Sequence, residues 1–311
     1  MTAYVMVGTD GSAPAGRAVA WAAEDAARRG LPLRIVHACE PWTYDIPMHT
    51  PPGFHDLVAE RGRDTLRAAA DLAGGRAPGL EVVTVLRDGP AAEVLRREAA
   101  DAAQIVVGSR GLGGFTGLLL GSVSRALAGH LGVPVVVVGP RDHDGDPGTS
   151  GHPEGSGDPG ESRDTERVYG RIVVGFDGSA HSEAALAYAF EEAARRGVAL
   201  RAVHAWQMPV LGPGAAVHTP LVEDISATEE RVASGTLVPW LDKYPRVEVE
   251  RVVVCGHPAG ALCDASATAD LVVVGSRGLG GIGAAVLGSV GHGVLHHAHC
   301  PVAVVRAGGE A

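Results

Sequence analysis

The stretch that decides the fold is Gln104-Ile-Val-Val-Gly108-Ser-Arg-Gly111, followed after nine residues by Gly121-Ser122. It recurs as Leu271-Val-Val-Val-Gly275-Ser-Arg-Gly278, nine residues, then Gly288-Ser289. Each copy runs from a β-branched apolar segment into glycines and on into a helix-like pattern. Glycines at such a strand-to-helix junction let backbone N–H groups face an anion, which is how a loop cradles phosphate.

The copies lie 167 residues apart, and the same offset aligns Asp10-Gly-Ser with Asp177-Gly-Ser, Ala26-Ala-Arg-Arg-Gly30 with Ala193-Ala-Arg-Arg-Gly197, and His37-Ala38 with His204-Ala205. Gly89 and Gly256 correspond, as do Pro134 and Pro301. The chain therefore reads as one domain duplicated, over residues 1–140 and 167–308. Between them, residues 141–166 hold six Gly, three Pro, eight acidic residues and two Arg, with no aliphatic or aromatic side chain. Such a segment has nothing to bury against the entropy of ordering, so a disordered acidic linker is expected.

Within the first repeat, strand-like runs at Tyr4–Gly8, Leu33–Ala38, Glu81–Arg87, Gln104–Gly108 and Pro134–Gly139 alternate with helical patterns near Ala13–Arg29, His55–Leu72, Ala91–Ala100 and Ser122–His130. The second repeat has strands near Arg171–Gly175, Ala199–Ala205, Glu248–Cys255, Leu271–Gly275 and Val302–Val305. Alternation of this kind predicts an α/β fold, two tandem doubly wound parallel sheets of five strands with helices on both faces. Ligands bind such sheets where strand order reverses, beyond the carboxyl ends. Because the loops after strands one and four both look functional, the reversal falls between them and the order is 3-2-1-4-5. The Val135–Val138 edge is an aggregation hazard unless covered. Pairing it with Val302–Val305 makes the two repeats an internal pseudo-dimer.

The formal charge of −10 opposes nucleic acid and anionic membranes as partners. No apolar run reaches a membrane span and the first strand begins near Tyr4, which leaves no room for a signal peptide, so a cytoplasmic protein is expected. Cys39, Cys255, Cys263 and Cys300 form no CxxC pair and read as isolated core or strand residues. Lys243 is the single lysine, so the P-loop signature GxxxxGK[ST] is absent. Any cation serving a phosphate is then arginine, histidine or metal.

The ordered composite V-G-x-D-G-S after strand one, V-H-A at the end of strand two, and G-x-x-G, nine residues, G-S, present twice, resembles the universal stress protein family in its tandem form. The resemblance covers all but the linker and short termini. Members with the complete glycine motif typically bind ATP, so the resemblance implies one ATP site per repeat, with Mg2+. It places Gly8 and Asp10 near the adenosine end and a backbone group of Ala38 at adenine. Gly108, Arg110 and Gly111 then line ribose and phosphates, while Gly121, Ser122 and Val123 present N–H and hydroxyl groups to phosphate. The second set is Gly175, Asp177, Ala205, Gly275, Arg277, Gly278, Gly288, Ser289 and Val290. Ser124 offers one more hydroxyl to phosphate, and its counterpart Gly291 does not, which makes the second site the expected weaker one. The implied function is that of a regulatory or sensor protein. Adenine nucleotide would order the loop between Gly111 and Gly121 and present a surface to a protein partner. The alternative is a slow ATP hydrolase or self-phosphorylating enzyme; with no Walker lysine, catalytic-loop motif or base beside a water-positioning group, no catalytic residue is assigned.

Several of these residues also carry simpler readings. The glycines serve a turn needing positive φ or a close backbone approach. Asp10 and Asp177 cap the first helix of each repeat. His37 and His204 end buried strands and are satisfied by backbone. The cluster His292, His296, His297, His299 and Cys300 is structural or superficial rather than a metal site, since only His297 has a histidine counterpart, His130, and no carboxylate accompanies the group.

Overall fold

The computed structural model describes residues 3–40, 53–111, 120–139, 168–208, 219–278 and 287–307. The expected linker at 141–166, and the stretches 112–119 and 279–286 inside the two glycine motifs, lie outside the described residues.

The first repeat runs β1 (Tyr4–Gly8), α1 (Ala13–Arg29), β2 (Leu33–Cys39), α2 (Phe54–Arg76), β3 (Val82–Asp88), α3 (Ala91–Glu98), β4 (Ala102–Gly108), α4 (Ser122–Ala128) and β5 (Val135–Val138). The second runs β6 (Arg171–Gly175), α5 (Ala180–Arg196), β7 (Ala199–Trp206), α6 (Thr219–Lys243), β8 (Val249–Cys255), α7 (Pro258–Ser266), β9 (Leu271–Gly275), α8 (Ser289–His297) and β10 (Val302–Val305). Helices α1 and α5 begin at Ser12 and Ser179, whose hydroxyls accept from the N–H groups of Ala15 and Ser182, and end on left-handed Gly30 and Gly197.

The strands form one ten-stranded sheet in the order β3-β2-β1-β4-β5-β10-β9-β6-β7-β8. Each half has the order 3-2-1-4-5, and the expected pair of five-stranded sheets is joined into one. The seam is the antiparallel pairing of β5 with β10, Val136 opposite Ala303, while every other neighbour pair is parallel. Both strands are buried on both faces, as continuous β-branched runs of a covered parallel sheet should be.

Strand alternation divides the core into two layers. Val5, Val7, Val106 and Val136 face one layer with α1, α2, α5 and α6; Tyr4, Met6, Ile105 and Val137 face the other, with α3, α4, α7 and α8. Small side chains bring α1 close to the sheet: Ala18, Ala22, Ala23 and Ala26 are fully buried.

Candidate functional site

At the carboxyl ends of β6, β7 and β9 the second repeat encloses a cavity of about 400 Å³, within the range of small-molecule pockets. It lies at the point where strand order reverses between β6 and β9. All nine residues expected for this repeat line it: Gly175, Asp177, Ala205, Gly275, Arg277, Gly278, Gly288, Ser289 and Val290. Phe176, Val203, Gln207, Pro258 and Leu262 also line it, and the motifs had not marked them. A period of two along β7 from Ala205 finds Val203 and Gln207; Pro258 and Leu262 come from α7, whose approach no local pattern announces.

Most of the motif glycines are explained by space, not by φ. Gly11 and Gly178, in the two Asp-Gly-Ser turns, have a positive φ of 82°; Gly8, Gly108, Gly111 and Gly121 and their counterparts Gly175, Gly275, Gly278 and Gly288 do not. A Cβ on Gly108 would lie 2.8 Å from the backbone carbon of Pro14, and one on Gly275 would lie 2.9 Å from that of His181, so each strand end rests on the first turn of α1 or α5. Gly8 and Gly175 make room for Leu95 and Leu262 at 2.8 and 2.7 Å. At Gly111 and Gly278 an added Cβ would meet Oδ2 of Asp10 and Asp177 at 2.5 Å.

Those two aspartates are held from the other side. Oδ1 of Asp10 accepts from the Ser12 N–H, and Oδ1 of Asp177 from the Ser179 N–H, each at 3.0 Å. The expectation that the aspartates cap the helices is therefore corrected: the serines cap, and each aspartate folds the turn that delivers its serine. The second carboxylate oxygen is left against the motif glycine.

The motif closes on itself through backbone. Gly121 N–H donates to Ser109 carbonyl at 2.7 Å, and Gly288 N–H to Ser276 carbonyl at 2.8 Å. Gly121 and Gly288 then cap α4 and α8 without a side chain. The first N–H groups of those helices, from Ser122 and Val123 or Ser289 and Val290, need acceptors from elsewhere. In the first repeat Gly8, Ala38, Arg110 and Gly111 take the equivalent places at the ends of β1, β2 and β4.

Ser124 is put to a different use from the one expected. Its hydroxyl is buried and donates to the Gly108 carbonyl at 2.6 Å; with a single hydrogen, it has none left for a phosphate. Gly291 therefore gives up no phosphate donor relative to Ser124, and this difference gives no reason for the second site to be the weaker one.

The histidines at the strand ends are satisfied by backbone, as expected. Nδ1 of His37 meets the Thr9 carbonyl at 2.8 Å, and Nδ1 of His204 the Phe176 carbonyl at 3.1 Å. His204 has a further partner, Glu229 of α6, at 2.9 Å from Nε2. Its counterpart position in the first repeat is Gly62, where a Cβ would meet the His37 ring at 3.1 Å. His292 and His296 approach with ring centroids 4.4 Å apart. Burial first, then His292, His297 and Arg125, hold the His296 pKa below its usual range. Among the described residues no group of three or more His, Cys, Asp or Glu is arranged to hold a metal ion, and no helix is long and apolar enough to cross a membrane.

The sequence profile described as the universal stress protein family matches residues 1–139 and 169–306. The chain belongs to the universal stress protein family. Among its relatives, universal stress protein Rv2623 of Mycobacterium tuberculosis is 37% identical over 309 residues, covering 97% of this chain and 96% of that protein. Universal stress protein Mb2028c of Mycobacterium bovis is 37% identical over 312 residues, with 97% and 96% covered. A crystal structure of a universal stress protein from Archaeoglobus fulgidus superposes with a TM-score of 0.64 at 20% identity, covering 99% of this chain and 97% of that one. That likeness speaks for the fold.

Proposed function

We propose that this universal stress protein binds one adenine nucleotide per repeat, ATP with Mg2+, and acts in the cytoplasm as a regulatory or sensor protein whose conformation, set by the nucleotide, is read by a protein partner. The observation that carries the reading is the cavity of the second repeat, lined by all nine residues expected to form the site there. Its chemistry suits the ligand. Arg277 and the N-terminus of α8, which no side chain caps among the described residues, stand at the motif end for phosphates, and Phe176, Val203 and Leu262 give the remainder an apolar wall. Magnesium would enter with the phosphates, which supply oxygen ligands that this site need not provide itself.

The test is direct: purified protein is denatured and the released small molecules are identified, and the stripped protein is titrated with ATP and Mg2+ by calorimetry. The expected result is up to two sites per chain. Saturation at 100 times the dissociation constant adds about 2.7 kcal/mol to stability if only the folded state binds. No heat and no shift in melting with ATP, with or without Mg2+, removes the proposal.

A further inference from the structure

On β7 and just beyond it, Val203, Ala205 and Gln207 share one face, because alternate residues of an extended segment do so, and all three line the cavity. Gln207 is exposed, and its carboxamide makes no hydrogen bond among the described residues. The equivalent position in the first repeat is Glu40, and there the side chain is engaged. Oε1 of Glu40 accepts from the backbone N–H of Ala91, the first residue of α3, at 2.9 Å. This satisfies a donor with no partner inside the helix and sets negative charge at its positive end.

The second repeat has removed the need for that bond. The counterpart of Ala91 is Pro258, which opens α7 and has no N–H to offer. With the donor gone, an acid at 207 would have no helix to cap; the residue is an amide, and it lies on the cavity together with Pro258. Two coordinated differences thus convert a capping side chain into one available to a ligand.

We infer that Gln207 reads the base in the second site and selects adenine; this rests on the nucleotide reading above. A carboxamide sets an acceptor oxygen beside a donor nitrogen, the complement of the N6–H and N7 edge of adenine. Guanine presents two acceptors, O6 and N7, on the same edge, so half of the pairing is lost. Glu40 offers acceptors only and is held by Ala91, so the first site lacks this reader and discriminates less between the two purines.

The experiment titrates the full chain with ATP and with GTP, comparing the wild type with Gln207→Ala and Gln207→Glu, and checks equal folding by circular dichroism and melting temperature. One of the two sites should prefer ATP in the wild type, and its ATP-to-GTP affinity ratio should fall about tenfold in Gln207→Ala and at least as far in Gln207→Glu. The other site should keep its ratio. If ATP binds but the ratio is unchanged in both variants, or if both nucleotides weaken by the same factor, the assignment of Gln207 is overturned while the nucleotide reading stands. If the wild type binds neither nucleotide, both are overturned.

Discussion

A carboxylate oxygen and a glycine Cα face each other in both repeats, and the contact leaves no room for a methyl group. Gly278→Ala would push its Cβ to within 2.5 Å of Asp177 Oδ2, while Oδ1 is held by Ser179 N–H. The substitution should cost about 1–3 kcal/mol as overpacking and lower nucleotide affinity at the second site, with the same effect for Gly111→Ala at the first. Chemical denaturation and calorimetry on each single variant check this; unchanged stability and affinity would show that the aspartate swings aside freely. Gly291→Ser makes a prediction of the opposite sign. Its Cβ would stand 3.7 Å from the Gly275 carbonyl, so the new hydroxyl can repeat the Ser124–Gly108 bond, and a helical glycine is replaced. A gain of about 0.5–1 kcal/mol is expected, reduced by whatever shift Leu287, 3.0 Å from the new Cβ, must make. A fall in the denaturation midpoint would refute it.

At the scale of elements, α1 and α5 meet through a buried ring of charges that no local pattern disclosed. Arg29 donates to Asp25 and to Glu192 at 2.5 Å each, and Arg196 donates to Glu192 and Asp25 at 3.0 Å each. Asp25 and Glu192 are 0% and 1% exposed, and Asp25 and Glu192 are equivalent residues, as are Arg29 and Arg196. The ring is thus two equivalent acid–arginine pairs, one on each helix, whose arginines also reach across to the other helix's acid. Gln104 of β4 breaks its symmetry: its amide donates to Asp25 at 2.7 Å, and its oxygen accepts from Arg29 at 2.8 Å and from the Tyr188 hydroxyl at 2.6 Å. The equivalent of Gln104 is Leu271, and that of Tyr188 is Trp21, over which Arg196 stacks at 5.4 Å. Burial, then Glu192 and Asp25, drive the Tyr188 pKa well above its ordinary value, so this hydroxyl stays a donor. Glu192→Ala leaves Arg29 and Arg196 buried with one carboxylate partner, Asp25, in place of two, and should cost about 3–5 kcal/mol. Tyr188→Phe removes one neutral bond and should cost about 1 kcal/mol. Equilibrium unfolding of the two variants tests that ranking, and equal losses would speak against a charged ring. On the opposite layer, His296 supplies a pH dependence. Its folded pKa is depressed, so the unfolded chain binds the proton more readily, and the stability it contributes is complete above about pH 6.5 and is lost as pH falls towards the folded value. His296→Gln should flatten the acid side of the melting-temperature profile between about pH 7 and 5; an unchanged slope would exclude the histidine as its source.

For the whole molecule, the antiparallel β5–β10 seam, the α1–α5 ring and the packing of Gly129 against Leu287 hold the two repeats through backbone, charge and apolar contact on both faces. Covalent continuity is then not what keeps them together. A protease site introduced near Gly151 and cut should leave a single species of intact size in size exclusion at micromolar concentration. Two independently migrating halves would mean that the seam is too weak to act alone. Joining the repeats by their fifth strands also leaves β3 and β8 as the outer edges of the sheet, where the strands are half exposed. Val83, at 43% exposed, is their largest apolar departure.

The sequence by itself determined the duplication, the α/β class, the strand order within each repeat and the lining drawn from strand ends and motif glycines. All of these are written in short-range pattern: period two, runs of valine, glycine at a junction, and an offset that repeats. Helix ends were legible where Gly30 and Gly197 marked them; at the starts the cap was read at the aspartates and proved to be Ser12 and Ser179; and α2 continues past Leu72 through Gly74 and Gly75 to Arg76 because its apolar face is packed on β2 and β3. Tertiary structure alone decided the rest. Asp25 and Glu192 look like surface acids of an amphipathic helix until the seam brings α1 against α5, and Ser124 looks like a ligand donor until α4 sets it over the Gly108 carbonyl. Gln207 and Glu40 look interchangeable until each is seen with the helix that follows the third strand, one opening with an N–H and the other with a proline. A side chain's available hydrogen bonds are fixed by neighbours distant in the chain, and no local pattern encodes which donors those neighbours have already satisfied.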